Sequence, residues 1–300
     1  MPNSFAYADV FQQMLDLQVI QESVTGWMDA NAGQVIYDGG KTVKIPKMSI
    51  NGLADYDRTN GYDRGAATLS YETFTMTQDR GRQFILDAMD VNETNFVANA
   101  GAVMGEFQRT MVIPEIDAYR ISKLATAAIS NNNADYSYTP DKTTIVDAMK
   151  DSIARVKKNG FRNTPLVIMA NTDSVSALEK AKAQLGDTFT WTQGGLETIV
   201  PALDGIPVIE VADERMYSAI TLATNNAGGY TKGAAAKDIN FVVVAAGVPL
   251  AITKQNDMKI FEPAQVQSHD GWLLDYRRYH DLWIMDNKVG GIAINSKDAE

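Results

Sequence analysis

One tract of this chain cannot bury itself, and that constrains the rest. Thr42 to Pro46 is a short alternating segment with Val43 and Ile45 on one side. Leu69 to Gln78 is a longer run rich in β-branched and aromatic residues, among them Tyr71, Thr73, Phe74, Thr75 and Thr77. Both have the composition of strands. The residues between them are dominated by Gly, Asp, Asn, Arg and Tyr. Connections of such length without structure of their own are rare in compact domains and usually functional. This one has little apolar content to fold into a core. The two strands are therefore predicted to form an arm that projects from the body. An isolated hairpin is marginal in water, so the arm needs a neighbour to rest on.

The remaining pattern mixes helices and strands. Ala8 to Ile20 places Val10, Phe11, Met14, Leu15 and Leu17 near one helical face. Asp90 and Glu93 have capping-box spacing, and a long helix is predicted from there. Phe96, Val97, Ala100, Val103, Met104, Phe107 and Met111 continue its apolar stripe. Pro114 is expected to kink or restart it, with a further helix over Glu115 to Ile129 and a loop at Asn131 to Asn133. Thr143 to Lys158 reads as another helix, with Ile145, Met149, Ile153 and Val156 inside and Asn159 and Gly160 as its stop. Pro165 to Ala170 is a strand apolar enough to be buried on both faces. Asn171 can cap the helix after it, which carries Val175, Leu178 and Ala181.

Downstream, Gly194-Gly195 is read as a turn before the helix-prone Leu196 to Ala202. Strands are predicted over Ile206 to Val211 and Phe241 to Thr253, with a Gly/Ala-rich loop at Asn225 to Ala236 between them. Met258 to Phe261, the aromatic run Gly271 to Ile284, and Gly291 to Asn295 close the chain as strands. There is no regular βαβ rhythm, so the fold class is α+β.

Composition removes several functions. The net charge is −10, whereas proteins that grip nucleic acid carry a basic face. The longest basic cluster, Arg155, Lys157 and Lys158, suits a helix C-terminus. An acidic chain can still enclose DNA that it does not hold. The sequence has no cysteine, which excludes disulfides, thiolate catalysis and Cys-based metal sites and fits a reducing cytoplasm. The N-terminal residues lack a signal-peptide pattern. No apolar run approaches the ~20 residues that cross a bilayer, so no membrane partner is expected. The two histidines, His269 and His280, form no metal-binding pair. The glycine-rich run Gly228 to Gly233 lacks phosphate-loop spacing and reads as a flexible loop. Asp87 and Asp90 suit a helix start. Arg277 and Arg278, between Asp275 and Asp281, suit ion pairs to neighbouring strands or subunits. With no nucleophile elbow, dinucleotide fingerprint or kinase signature, no catalytic, cofactor-binding or metal residue is assigned, and no cofactor is expected.

Four blocks carry a resemblance. The first is Val43-Lys44-Ile45-Pro46-Lys47 with Gly52, Asp55-Tyr56-Asp57-Arg58 and Gly61. The second is Thr77-Gln78-Asp79-Arg80-Gly81-Arg82 with Phe84, Asp87, Met89-Asp90 and Glu93-Thr94. The third is Ile113-Pro114-Glu115-Ile116-Asp117-Ala118-Tyr119-Arg120. The fourth is Tyr276-Arg277-Arg278-Tyr279-His280-Asp281 with Trp283. In this order they resemble the major capsid proteins of tailed bacteriophages.

The resemblance implies the α+β fold shared by tailed-phage capsids, encapsulin shells and the herpesvirus capsid floor. It implies an N-terminal arm over residues 1–39, an extended β-hairpin loop over 40–80, and a peripheral domain with a spine helix over 81–165. An axial domain follows over 166–254, and strands returning to the peripheral domain over 255–300. It further implies a non-enzymatic shell protein whose pentamers and hexamers enclose double-stranded DNA, made in a host bacterial cytoplasm and ending in the virion. Asp55, Asp57, Arg58, Asp63 and Arg64 are the candidate contacts between subunits. Some relatives carry a long cleavable scaffold segment at the N-terminus, and this chain begins almost directly with the arm. A separate scaffolding protein is therefore expected, alongside a portal. No residues here justify carrying over the Lys–Asn cross-link of another relative. An encapsulin-like compartment shares the implied fold and stands as the alternative; a cytosolic enzyme of unrecognised type is more remote.

Overall fold

The computed structural model describes residues 23–34, 42–56, 58–59, 61–62, 64–87, 89, 100–182, 188–193, 196–224, 227–266 and 270–300. The predicted helix at Ala8 to Ile20, the capping pair Asp90 and Glu93, Phe96, Val97, Gly194-Gly195 and His269 lie outside them. In chain order the elements are β1 (Thr42–Ile50), β2 (Ala67–Thr75), β3 (Gln78–Asp87), α1 (Ala100–Phe107), α2 (Ile113–Ser130), β4 (Ala134–Asp135), α3 (Ile145–Val156), β5 (Leu166–Asn171) and α4 (Thr172–Lys182). They continue as β6 (Thr188–Gln193), β7 (Leu196–Leu203), β8 (Ile206–Val211), β9 (Ile220–Leu222), β10 (Tyr230–Lys232), β11 (Ile239–Ala245), β12 (Leu250–Phe261), β13 (Gly271–Trp283) and β14 (Ile292–Ser296). The mixture is α+β.

The main core surrounds a seven-stranded mixed sheet of order β4-β14-β11-β5-β8-β7-β6. Every residue of β5, β11 and β14 is buried. Their largely apolar sequences are what a strand covered on both faces requires. Helix α3 turns Ile145, Met149, Ile153 and Val156 into this core, and α4 adds Val175 and Leu178. Asn171 caps α4, its Oδ1 accepting from the Ser174 amide at 2.9 Å. The turn after α3 contains Gly160 at φ +102°, a conformation that other residues adopt only with strain.

A second sheet of order β12-β13-β3 runs beside this body. Gly271 opens β13 against β3, where a Cβ would stand 2.1 Å from the Leu86 carbonyl oxygen, so only glycine fits. Two further antiparallel pairs, β1-β2 and β9-β10, stand apart from both sheets.

Several expectations need correction. The run Leu69 to Gln78 is two strands: β2 stops at Thr75, fully buried Met76 and Thr77 break the ladder, and Gln78 begins β3. There the Thr77 amide turns aside to Asp281 Oδ2 at 2.9 Å. The helix-prone Leu196 to Ala202 is strand β7, paired with β6 and β8. Its β-branched Thr198-Ile199-Val200 and following Pro201 suit an extended chain better than a helix. Strand β6 was not anticipated. The run Phe241 to Thr253 divides into β11 and β12, which belong to different sheets. The turn is closed by the Val248 amide on Ala245 O at 3.0 Å, with Gly247 and donor-less Pro249 beside it. Met258 to Phe261 is the end of the long β12 and not a separate strand. The Gly/Ala-rich stretch holds the short strand β10. Pro114 stands in the first turn of α2, where its missing donor costs little, as the expected restart requires. A π-helical turn over Gln108–Val112 links α1 to α2, and helical backbone continues through it.

Candidate functional site

Three of the four sequence blocks meet in space. Arg80 of β3 makes a two-point ion pair with Glu115 of α2, at 2.8 and 3.0 Å. Asp281 of β13 accepts from Tyr119 Oη at 2.7 Å and from Thr77 Oγ1 at 2.9 Å. Arg277 holds Asp79 across the β13-β3 ladder at 2.6 and 2.9 Å. That contact holds the Asp79 carboxyl below its ordinary pKa. Tyr279 donates to the Met76 carbonyl at 3.1 Å.

The remaining polar residues of the third block hold the first described segment. Asp117, fully buried, accepts from Ser23 Oγ at 2.6 Å, Thr25 Oγ1 at 2.5 Å and Arg215 at 3.0 Å. Arg120, only 1% exposed, pairs with Asp29 at 2.6 Å and donates to Thr25 O at 3.0 Å. A charge so deeply buried is tolerated only when paired and hydrogen-bonded. Here the pairing ties residues 23–29 to α2. These blocks therefore form a structural clamp between helix, sheet and N-terminal segment.

His280 belongs to the same clamp. It is buried edge-on to Tyr119, with ring centroids 5.8 Å apart. Burial, and then the charges of Arg278, Arg120 and Arg80, push its pKa well below the ordinary imidazole value, so it is neutral. Among the described residues no group of three or more His, Asp or Glu is placed to hold a metal ion.

The first block forms the β1-β2 hairpin. Its base is anchored: Val43 and Ile45 pack with Met76, Leu250, Ile252 and Trp283, and Phe74 stacks on Trp283 at 5.4 Å. Lys47 pairs with Glu72 at 3.1 Å. Beyond that, no described residue covers the hairpin. From Met48 to Tyr71 every described residue is exposed except half-buried Gly61. Strand β1 has nine residues and so spans roughly 30 Å, at about 3.4 Å per residue.

The register gives this hairpin two unlike faces. Pro46 stands opposite Tyr71, Met48 opposite Leu69, and Ile50 opposite Ala67. In a pleated pair these six side chains share one face. Met48, Ile50, Leu69 and Tyr71 are all more than half exposed. The outer part of the other face carries Lys47, Ser49, Thr68 and Ser70.

The tip connects the two strands, with the Asn51 amide on Ala66 O at 3.2 Å. Tyr56 and Tyr62 meet there with centroids 4.8 Å apart, yet both remain exposed. Of the predicted contact residues, Asp55, Arg58 and Arg64 are exposed on this tip. Asp57 and Asp63 lie outside the described residues. Sequence reading found these charges and missed the apolar face beside them. The signal was the even-numbered spacing of Pro46, Met48 and Ile50, but the matching residues of β2 are known only once the register is.

No protein-family model matches the sequence, and no curated protein matches it either. Solved structures do. The mature capsid of bacteriophage PhiM1 aligns with a TM-score of 0.61 at 11% identity, covering 87% of this chain and 83% of that one. The capsid of Cyanophage P-SCSP1u aligns with a TM-score of 0.57 at 8% identity, over 87% and 84%. The holo-SrpI encapsulin of Synechococcus elongatus aligns with a TM-score of 0.50 at 9% identity, over 88% and 84%. The chain thus has the fold common to these shell proteins.

Proposed function

We propose that this chain is the major capsid protein of a tailed bacteriophage. It assembles with copies of itself into pentamers and hexamers of an icosahedral shell, in the host bacterial cytoplasm, and reaches the virion there. The observation that carries this reading is the β1-β2 hairpin. Its outer half exposes a continuous apolar face that no described residue covers. Such a face marks an interaction surface. On a fold shared with shell proteins, its natural cover is an adjacent copy.

The division of labour proposed with this reading is as follows. Residues 1–39 serve as the N-terminal arm and 40–80 as the extended loop. Residues 81–165 and 255–300 form the peripheral domain, and 166–254 the axial domain that surrounds the capsomer axes. At the interface Met48, Ile50, Leu69 and Tyr71 supply burial. Asp55, Asp57, Arg58, Asp63 and Arg64 supply pairing that selects register. Packaged double-stranded DNA is enclosed and not gripped, in keeping with the net charge of −10. Scaffolding protein and portal complete the assembly.

The greater likeness to the two phage capsids than to the encapsulin supports the phage reading. Neighbouring genes separate the two: terminase, portal and scaffold on one side, a cargo enzyme on the other. The direct test deletes residues 51–66, joining the strands by a two-residue turn, and co-expresses the variant with the adjacent genes. Electron microscopy is expected to find no shells although circular dichroism reports a folded body. Intact shells from this variant refute the role given to the hairpin.

A further inference from the structure

A cavity of about 720 Å³ lies between the three-stranded sheet, the α1-α2 helix and the β9-β10 turn, within the size range of small-ligand sites. One wall is apolar, with Phe84, Val103, Phe107 and Ile116. The sheet presents Arg80, Arg278 and His280 to the same space. In the β3-β13 register Arg80 stands directly opposite Arg278, and like charges so placed are unfavourable by themselves.

The two arginines differ in their partners. Arg80 is satisfied by Glu115 and by the Ala223 carbonyl, the latter at 2.7 Å. Arg278 is 7% exposed. It reaches Thr253 Oγ1 through a long 3.4 Å contact, and its Nε–H has no partner among the described residues. His280, on the same strand face and 5% exposed, has no partner at Nδ1. The carboxylates of the lining are engaged elsewhere: Glu115 by Arg80, Glu106 by Arg109, and Asp79 by Arg277. Among the described residues this buried guanidinium therefore has no counter-charge, which is costly unless something supplies one.

We propose that this cavity is a binding site for a carboxylate carried on an apolar body. Arg278 is its counter-ion and the Nδ1 position of His280 its second partner. Phe84, Phe107 and Ile116 hold the apolar part. The site is independent of the hairpin and stands whether or not the chain forms shells.

The test is calorimetric titration of the full chain with three probes: 2-naphthoate, the neutral 2-naphthalenemethanol, and inorganic phosphate. Saturable naphthoate binding at least tenfold tighter than either of the others is expected. Arg278→Met keeps the volume and removes the charge. It is expected to lose naphthoate binding at least tenfold while the ligand-free protein melts at the same temperature or higher, because the uncompensated charge is gone. Ala102→Trp, at an exposed position on the cavity rim, leaves Arg278 in place, and its bulk is expected to abolish binding as well. The proposal is overturned by any of four results: no naphthoate binding, equal binding of the alcohol, tighter binding of phosphate, or unchanged naphthoate binding by either variant. An Arg278→Met protein that melts lower also overturns it, since Arg278 is then an internal structural residue.

Discussion

The β1-β2 hairpin and strand β11 both carry apolar residues, and the molecule treats them in opposite ways. All seven residues of β11 are buried. Strands β14 and β5 flank it on either edge, and helix α3 packs on its sheet. Among the described residues the hairpin has two strands and hence two unpaired edges. Its Met48 and Ile50 are 66% and 69% exposed. Exposed edges and apolar faces invite pairing with another chain. Among the described residues the hairpin combines open edges with an exposed apolar face, and β11 has neither. On the proposed function the contrast also separates two kinds of damage: substitutions in the core act on folding and those on the hairpin act on association.

The sharpest test is a matched pair of substitutions. Val243→Asp places an unpaired carboxylate at the centre of β11, where exposure is zero. The expected loss exceeds ~5 kcal/mol, and no cooperative thermal transition should remain. Leu69→Asp on the hairpin is expected to keep the melting transition within about 0.5 kcal/mol of the parent and yet prevent shell formation in electron micrographs. If Leu69→Asp unfolds the body, the contrast fails.

Smaller effects refine it. Asp117→Ala removes the acceptor for Ser23, Thr25 and Arg215. A loss of about 3 kcal/mol is expected in urea denaturation, the low end for breaking a buried pair, since Arg215 is partly exposed. Acidification comes next. His280 is held neutral in the fold, so below its unfolded pKa of about 6.5 the unfolded chain takes up a proton that the folded chain refuses. Stability from this source is complete above that pH and declines below it. Urea midpoints at pH 7 and pH 5.5 should reveal the decline, and His280→Gln should reduce it. The smallest effect is expected from Arg58→Gln at the hairpin tip: unchanged monomer stability and a change of ~0–1 kcal/mol per contact, read as a modest shift in the concentration at which shells appear.

Legibility in the sequence followed the range of the interactions involved. The arm was readable because its tip has little apolar content, and such a tract cannot form a core. The inner face of α3 and the cap at Asn171 were readable because they depend on residues within a few positions. Strand β7 was misread because its pairing with β6 and β8 overrides local preference, and the split between β11 and β12 depends on two different sheets competing for one apolar run. Asp117 and Arg120 stood in a recognisable block, but their partners at residues 23–29 lie more than 90 positions away.

The sequence by itself determined the α+β class, the strands of the hairpin and the absence of thiol chemistry. These follow from composition and from periodicities that act over a few residues. Only the tertiary structure decided that Pro46, Met48, Ile50, Ala67, Leu69 and Tyr71 form one uncovered face, and that Arg80 and Arg278 confront each other over a cavity. Both depend on register, and a shift of one residue would turn every side chain to the other side.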